Sequence, residues 1–408
     1  MTEQKEQKEQ TEQTEQTDGV RLLLAAVDAY DSKFADGLMS GMSPDEVNGV
    51  VAEDGRSLLL RAVDRGAYSL VERILDRGGD VRLTDADGRD ALALATYWHG
   101  TGVEAELRRR TGATGPVERV KTEEDSMGST TEFTLGGRTV RDGHSAIVTL
   151  LEPVYGITRT FGELLARALA EPDVDHSVWW AATFEAASPG PAVWDTAAAL
   201  RDRPDPRERY FGAEILRSVV IGERLNEVSE DDEDPYDGLL VDLFLPWLAE
   251  ETDPRVVRSL TAGLANARDP RAEEPLPALA RHPDAGTRRW ALSGLSYLVT
   301  GGRPEAVAAV VECLRDEDPT VRQAACAAFV WTRAASPAVK DALAERLTDE
   351  DLDVRVMAAV RLGLLDDPRG DEVVAGLDEV EETDRYRWGL LDLWSHQRAR
   401  ANSSMRTP

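Results

Sequence analysis

The stretch "DPTVRQAACAAF", residues 318–329, returns 33 residues later as "DLDVRVMAAVRL", residues 351–362. Four more segments align beneath this pair: "DHSVWWAATFEAA", "DPRERYFGAEIL", "DPRVVRSLTAGL" and "DAGTRRWALSGL". Their leading aspartates are Asp175, Asp205, Asp253, Asp284, Asp318 and Asp351, with gaps of 30, 48, 31, 34 and 33 residues. A second amphipathic helix follows, as in "PEAVAAVVECLRDED" (304–318) and "PAVKDALAERLTDED" (337–351). A single helix pair cannot bury its own apolar face, whereas stacked pairs share one core. The expected fold is therefore all-α, an α-solenoid. The wide gap holds "NEVSEDDEDPYDG" (226–238), expected to bulge as an acidic loop.

The phrase Asp-x-x-Val-Arg-x-x-Ala resembles HEAT repeats, most closely in "DPTVRQAA" and "DLDVRVMAA". The resemblance covers 143–400, ending in a copy shifted by one residue, "DRYRWGLLDLW" (384–394). It implies that the helix after each aspartate lines a concave surface and that the array binds other proteins.

Numbering each helix from three residues after its aspartate makes Val321 position zero. At about 100° per residue, positions 0, 4, 7, 8 and 11 form one buried face. Position 1 carries Arg209, Arg288, Arg322 and Arg355, which points to an ion-pair ladder between neighbouring repeats. Position 2 faces away from the core and reads Trp180, Tyr210, Arg258, Arg289, Gln323 and Val356, with Trp388 in the shifted copy. Aromatic and arginine side chains in one row have the composition of a protein-binding hot spot. Trp180, Tyr210, Arg258, Arg289, Gln323 and Trp388 are thus the expected partner-binding residues. Trp290, Tyr297 and Trp331 fall at the edge of the buried face and are expected to pack between repeats.

A different period governs the N-terminal part. "EDGRSLLLRAVDRGAYSLVERILDRGGDV" (53–81) recurs 33 residues later as "ADGRDALALATYWHGTGVEAELRRRTGAT" (86–114). Gly55 matches Gly88, Ala62 matches Ala95, and Gly79 matches Gly112. This period, with its glycine turns and helix pairs, resembles ankyrin repeats, although the usual Thr-Pro-Leu-His entry is replaced by "SLLL" and "DALA". The organisation reads as a disordered tail (1–18), an ankyrin-repeat domain (19–115), a linker with a hairpin signal at Gly136-Gly137 (116–142), a HEAT-repeat solenoid (143–400) and a flexible C-terminus (401–408).

Composition narrows the function. The formal net charge is −29, so phosphate backbones are repelled and nucleic-acid binding is not expected. An acidic surface favours a partner that is basic overall. No apolar run is long enough to span a membrane, and the N-terminus "MTEQKEQKEQ" lacks a signal-like apolar segment, which points to a cytoplasmic protein. Arginine and alanine richness is associated with bacterial genomes. Cys313 and Cys326 stand alone in Ala/Val-rich helices and read as inert buried thiols. His99, His144, His176, His282 and His396 show no metal-ligand spacing, and "TLGGRTVRDGH" lacks a phosphate-loop lysine. No cofactor, metal or catalytic residue is expected. The leading reading is a non-enzymatic interaction scaffold or adaptor. An acidic inhibitor of an immunity or antitoxin type is the alternative, and an enzyme on a HEAT-like scaffold ranks third.

Overall fold

A computed structural model of the chain describes residues 19–125, 128–226, 235–332, 335–377 and 386–404. The expected tail (1–18), most of the acidic loop and residues 405–408 lie outside the described residues. The chain divides into two units, Met1–Pro189 and Gly190–Pro408. No described helix is long and apolar enough to cross a membrane.

The first unit begins with α1 (19–28), α2 (Ser32–Met39) and α3 (Pro44–Gly49). Two helix pairs follow: α4 (Leu58–Asp64) with α5 (Tyr68–Asp76), and α6 (Ala91–Thr101) with α7 (Val103–Thr111). The 33-residue period is visible as one turn built twice. Gly55 N–H donates to Ala52 O and Gly88 N–H to Asp85 O, each at 2.9 Å. Both glycines have positive φ, 80° and 76°, a region that costs other residues strain. Ser57 and Asp90 then cap α4 and α6 by accepting from Leu60 N–H and Ala93 N–H.

The stretch expected to be a linker is folded. It forms an antiparallel sheet of β1 (Glu118–Glu123), β2 (Ser129–Leu135) and β3 (Arg138–Arg141), in the order β1-β2-β3. Gly136 and Gly137, at φ 59° and 77°, make the tight turn between β2 and β3, as a two-residue hairpin requires. Leu135 and Val140 enter the same core as the helices. The carboxylate of Glu124, fully buried, accepts from Ser69 N–H (3.0 Å), Ser69 Oγ (2.6 Å), Thr130 Oγ1 (3.1 Å) and Arg141 Nη1 (3.1 Å).

The next helices, α8 (His144–Val154), α9 (Phe161–Ala170) and α10 (Ser177–Ala187), also belong to this unit. Ile147, Leu151, Val178 and Ala181 join its core. The start of the array therefore moves from 143 to beyond 189. The Asp175 copy departs from the repeat: Ser129 N–H bonds to Asp175 O at 2.7 Å, and His176 Nδ1, not an aspartate, caps α10.

The second unit contains α11 (Trp194–Ala198), α12 (Pro206–Asn226), α13 (Pro235–Glu250), α14 (Pro254–Asn266), α15 (Leu276–Leu279), α16 (Ala285–Thr300), α17 (Pro304–Cys313), α18 (Pro319–Ala327), α19 (Pro337–Ala344), α20 (Leu352–Leu364), α21 (Asp371–Ala375) and α22 (Arg387–Ser404). One layer stacks α12, α14, α16, α18, α20 and α22 in turn; α13, α15, α17, α19 and α21 cover its other side. The expected buried face is borne out in α16, where Thr287, Ala291, Gly294 and Leu295 are buried and Leu298 is half-buried. The repeat aspartates are N-caps. Asp205, Asp253, Asp284, Asp318 and Asp351 each accept a backbone N–H two or three residues ahead. Burial pushes the Cys313 thiol up to about 11 and the Cys326 thiol up to about 12, so neither is a thiolate at neutral pH.

If the Glu124 network fastens the sheet to the helices, Glu124→Ala takes the acceptor from two buried hydroxyls and the Ser69 N–H, and leaves Arg141 with Glu132 alone. It should cost about 3 kcal/mol of stability in urea unfolding. A loss typical of a surface glutamate, about 0.5 kcal/mol or less, would mean the sheet is held by its apolar contacts alone.

Candidate interaction surface

Three of the position-1 arginines make the same clamp. Arg288 Nη1 donates to His282 O and Pro283 O at 3.0 and 2.9 Å, while Nε and Nη2 take Asp316 at 2.8 and 2.6 Å. Arg322 repeats this on Asp316 O, Glu317 O and Asp349. Arg209 does so on Arg203 O, Pro204 O and Glu251. Arg355 makes the carbonyl half, to Asp349 O and Glu350 O. Each clamp thus joins the loop before its own helix to the next repeat. The acid it takes is not the repeat aspartate but the residue two positions earlier, which also accepts the N–H of that aspartate.

One junction departs from this rule and is repaired. The Asp253 repeat has Val257 at position 1, and the residue two before Asp284 is His282. The histidine Nδ1 accepts from Asp284 N–H at 3.1 Å, replacing the missing carboxylate oxygen. Arg258, from position 2, crosses to Asp284 itself with bonds of 3.1 and 2.8 Å. Its guanidinium lies so close to Gly286 that a Cβ there would meet Arg258 Nε at 2.5 Å. Arg258 was expected on a binding row; the structure makes it part of the ladder.

The rest of the row is split. Trp180 is 38% exposed but belongs to the first unit, one turn from Phe184, which is 62% exposed. Tyr210 and Gln323 are half-buried. Val356 is buried with Val360, Tyr386, Leu390 and Leu393, because α22 lies over this part of α20. The side chain of Trp388 lies outside the described residues. Arg289 is exposed, and no carboxylate pairs with it among the described residues.

The largest exposed aromatics of the second unit were expected to be packing residues. Tyr297 is 74% exposed and Trp331 is 54% exposed. Both hold position 10 of their repeats. Trp331 escapes burial because α18 stops at Ala327 and turns, with Val330 N–H returning to Ala327 O. Trp290 does pack: it is half-buried, and the Arg217 guanidinium stands 6.0 Å from its ring centroid while pairing with Glu214 at 2.6 Å. Arg289, Ser293 and Tyr297 are spaced by four residues and all exposed, so they form one stripe along α16. Gln323 and Trp331 occupy the matching positions on the neighbouring repeat.

Sequence reading also passed over a local signal. Asp-Pro-Arg occurs at 205–207, 253–255, 269–271 and 367–369. Each aspartate accepts the N–H of its own arginine and pairs with that guanidinium, a self-contained helix start. Proline at the first helical position gives up no needed donor.

The clamp makes two predictions. Arg322 and Asp349 have side chains only 7% and 3% exposed, so Arg322→Ala abandons a buried carboxylate. It should cost about 3 kcal/mol or more in chemical denaturation, against about 0.5 for Arg289→Ala. Equal losses would deny the clamp a structural role. The second concerns acid. Burial alone would raise Glu251, but Arg209 and the N–H groups of Asp253 and Thr252 outweigh it and hold the carboxyl at about 2. A group depressed in the folded state stabilises fully above its unfolded value and loses that contribution as pH falls through the folded one. The thermal midpoint should therefore fall as pH is lowered from about 5 to about 2. Glu251→Gln should be less stable at pH 7 and show a smaller fall. An identical fall in both proteins would remove Glu251 from the account.

Residues 241–329 and 307–388 match the family model for HEAT repeats. No curated protein matches the chain. Among solved structures, the X-ray structure of YibA from Escherichia coli is 17% identical, with 55% of this chain and 78% of that chain covered and a TM-score of 0.42. An engineered protein is 16% identical, with 94% and 95% covered and a TM-score of 0.38. Kap121p is 13% identical, with 88% of this chain but only 37% of that chain covered and a TM-score of 0.29. The chain has a mostly helical, HEAT-like solenoid fold.

Proposed function

We propose that this chain is a non-enzymatic interaction scaffold whose second unit takes a segment of a partner protein on the open face of α16 and α18. One observation carries the reading: Tyr297 on α16 and Trp331 in the turn after α18, at the same repeat position, leave most of their surface in water, and Arg289 is exposed on the same helix as Tyr297. Large aromatics rarely stay solvated in a folded chain unless a partner covers them, and Tyr, Trp and Arg dominate interface energetics. The HEAT-like fold supports this reading, since such arrays present extended surfaces built from repeated helices. In the first unit, Trp180 and Phe184 offer a second, smaller aromatic pair on α10, which an ankyrin-like helix array can present in the same way.

Photocrosslinking tests the face. A benzoyl-phenylalanine placed at 297 or 331 should capture one discrete protein in a lysate of the organism that encodes the chain. The same group at Glu305, on the opposite layer, should not. Tyr297→Ala at the second aromatic should weaken the capture made from position 331. Capture from position 305 alone would favour an acidic inhibitor that holds a basic effector on the outer layer.

A further inference from the structure

The open face differs from the rest of the unit in charge. Helices α14, α16 and α18 contain no aspartate or glutamate at any position from their first residue to their last. They do contain five arginines: Arg255, Arg258, Arg288, Arg289 and Arg322. The covering helices carry the acids, with Asp237, Asp242 and Glu250 on α13, Glu305 and Glu312 on α17, and Asp341 on α19. Four of the five arginines spend their charge on caps and clamps at the helix starts, pairing with Asp253, Asp284, Asp316 and Asp349. Arg289 is left over, exposed, on an acid-free surface of a chain with net charge −29.

We propose that the segment taken by this face is an acidic peptide that also carries an aromatic or proline side chain. This proposal rests on the interaction reading above and gives its partner a chemistry. The carboxylate pairs with Arg289, whose planar fork suits bidentate capture. The ring lies on Tyr297 or Trp331, where a flat side chain recovers the most buried area. Spacing follows from helix geometry. Arg289 and Tyr297 are eight residues apart, roughly 12 Å along α16 at 1.5 Å per residue. An extended peptide rises about 3.3 Å per residue, so its acid and its ring stand about four residues apart. The acidic outer layer repels such a segment elsewhere on the unit and confines it to this face. The sign is the reverse of that expected from net charge alone, because net charge averages over two layers that the fold separates.

The test uses the full chain and fluorescein-labelled twelve-residue peptides in fluorescence polarisation. One set carries Glu and Trp, or Glu and Pro, four residues apart; a matched set replaces Glu with Lys. A third probe is single-stranded oligo-dT of 20 nucleotides. The acidic set should bind about tenfold tighter than the lysine set, and Tyr297→Ala or Trp331→Ala should weaken it by about tenfold. Arg289→Glu should reverse the preference between the two sets, and Arg289→Lys should retain it in part. Circular dichroism melts check that these surface variants stay folded. Tighter lysine peptides, lost in Tyr297→Ala, would overturn the acidic partner while leaving the interaction face intact. Binding of oligo-dT alone would overturn both. Failure of every probe would overturn the peptide proposal, and the crosslinks from 297 and 331 would then decide the face by themselves.

Discussion

A guanidinium has five N–H donors fixed in one plane, and the second unit depends on spending them in two directions at once. One edge, Nε with Nη2, takes a carboxylate of the next repeat, while Nη1 takes two carbonyls of the loop that precedes its own helix. The geometry leaves little freedom: if the next repeat slides along its axis, either the carboxylate or the carbonyls lose their partner. Lysine cannot do this, since a single ammonium has no fork. The chain has 47 basic residues, of which Lys5, Lys8, Lys33, Lys121 and Lys340 are the lysines, leaving 47 − 5 = 42 arginines. Burying an ion pair costs desolvation that the attraction only partly offsets, so the net gain is modest. Losing one member is costly. The clamp therefore acts more as a register device than as a source of stability, with the apolar face at positions 0, 4, 7 and 8 supplying the latter.

The clamp also arranges charge. Because each arginine reaches forward to the acid before the next repeat aspartate, its acid partner lies in a loop, and α14, α16 and α18 keep arginine without acid. Asp284 shows the balance: burial alone would raise it, but Arg258 and the Thr287 N–H hold it below the usual carboxylate range. On α14, α16 and α18 the arginine left without a carboxylate is Arg289. A protein of strongly acidic composition thereby presents a face of opposite character.

How much of this was legible varies by residue. The phase was, because Asp-x-x-Val-Arg ties a cap, a core valine and a clamp to fixed spacing. The clamp's partner was misassigned, since two acids stand near each helix start and a one-dimensional alignment does not say which one a side chain reaches. The position-2 row is unevenly exposed for a related reason. Equal angle on a helix means equal exposure only where equal neighbours cover it. At Val356 the neighbour is α22, and at Arg258 it is an aspartate left without its usual partner because Val257 and His282 break the rule. The exposure of Tyr297 and Trp331 was not legible because position 10 lies on the packing side only while both helices continue. In the first unit the Gly136-Gly137 hairpin was readable, but the burial of Glu124 was not, since its four donors come from β2, β3 and α5.

The repaired junction at Asp284 explains why the exposed stripe sits where it does. When Arg258 leaves position 2 to serve the ladder, it reaches across to the next repeat, against Gly286 and onto Asp284. Trp290, one residue beyond Arg289, is drawn the other way, into contact with Arg217 on α12. Both large side chains on that flank are thus committed to structure, and the surface between α14 and α16 is closed by them. On the α18 flank the side chains that are not buried are small: Ala324 and Ala327 are half-buried, and Gln323 is the longest of them before Trp331. Arg289, Ser293 and Tyr297 stand exposed on α16, next in the stack to an α18 whose uncovered side chains are small. The clamps of Arg288 and Arg322 stand at the helix starts and bond to the loops, while Arg289, Ser293 and Tyr297 are exposed. Register on α16 rests on position 1, and the exposed stripe lies at positions 2, 6 and 10 of the same helix.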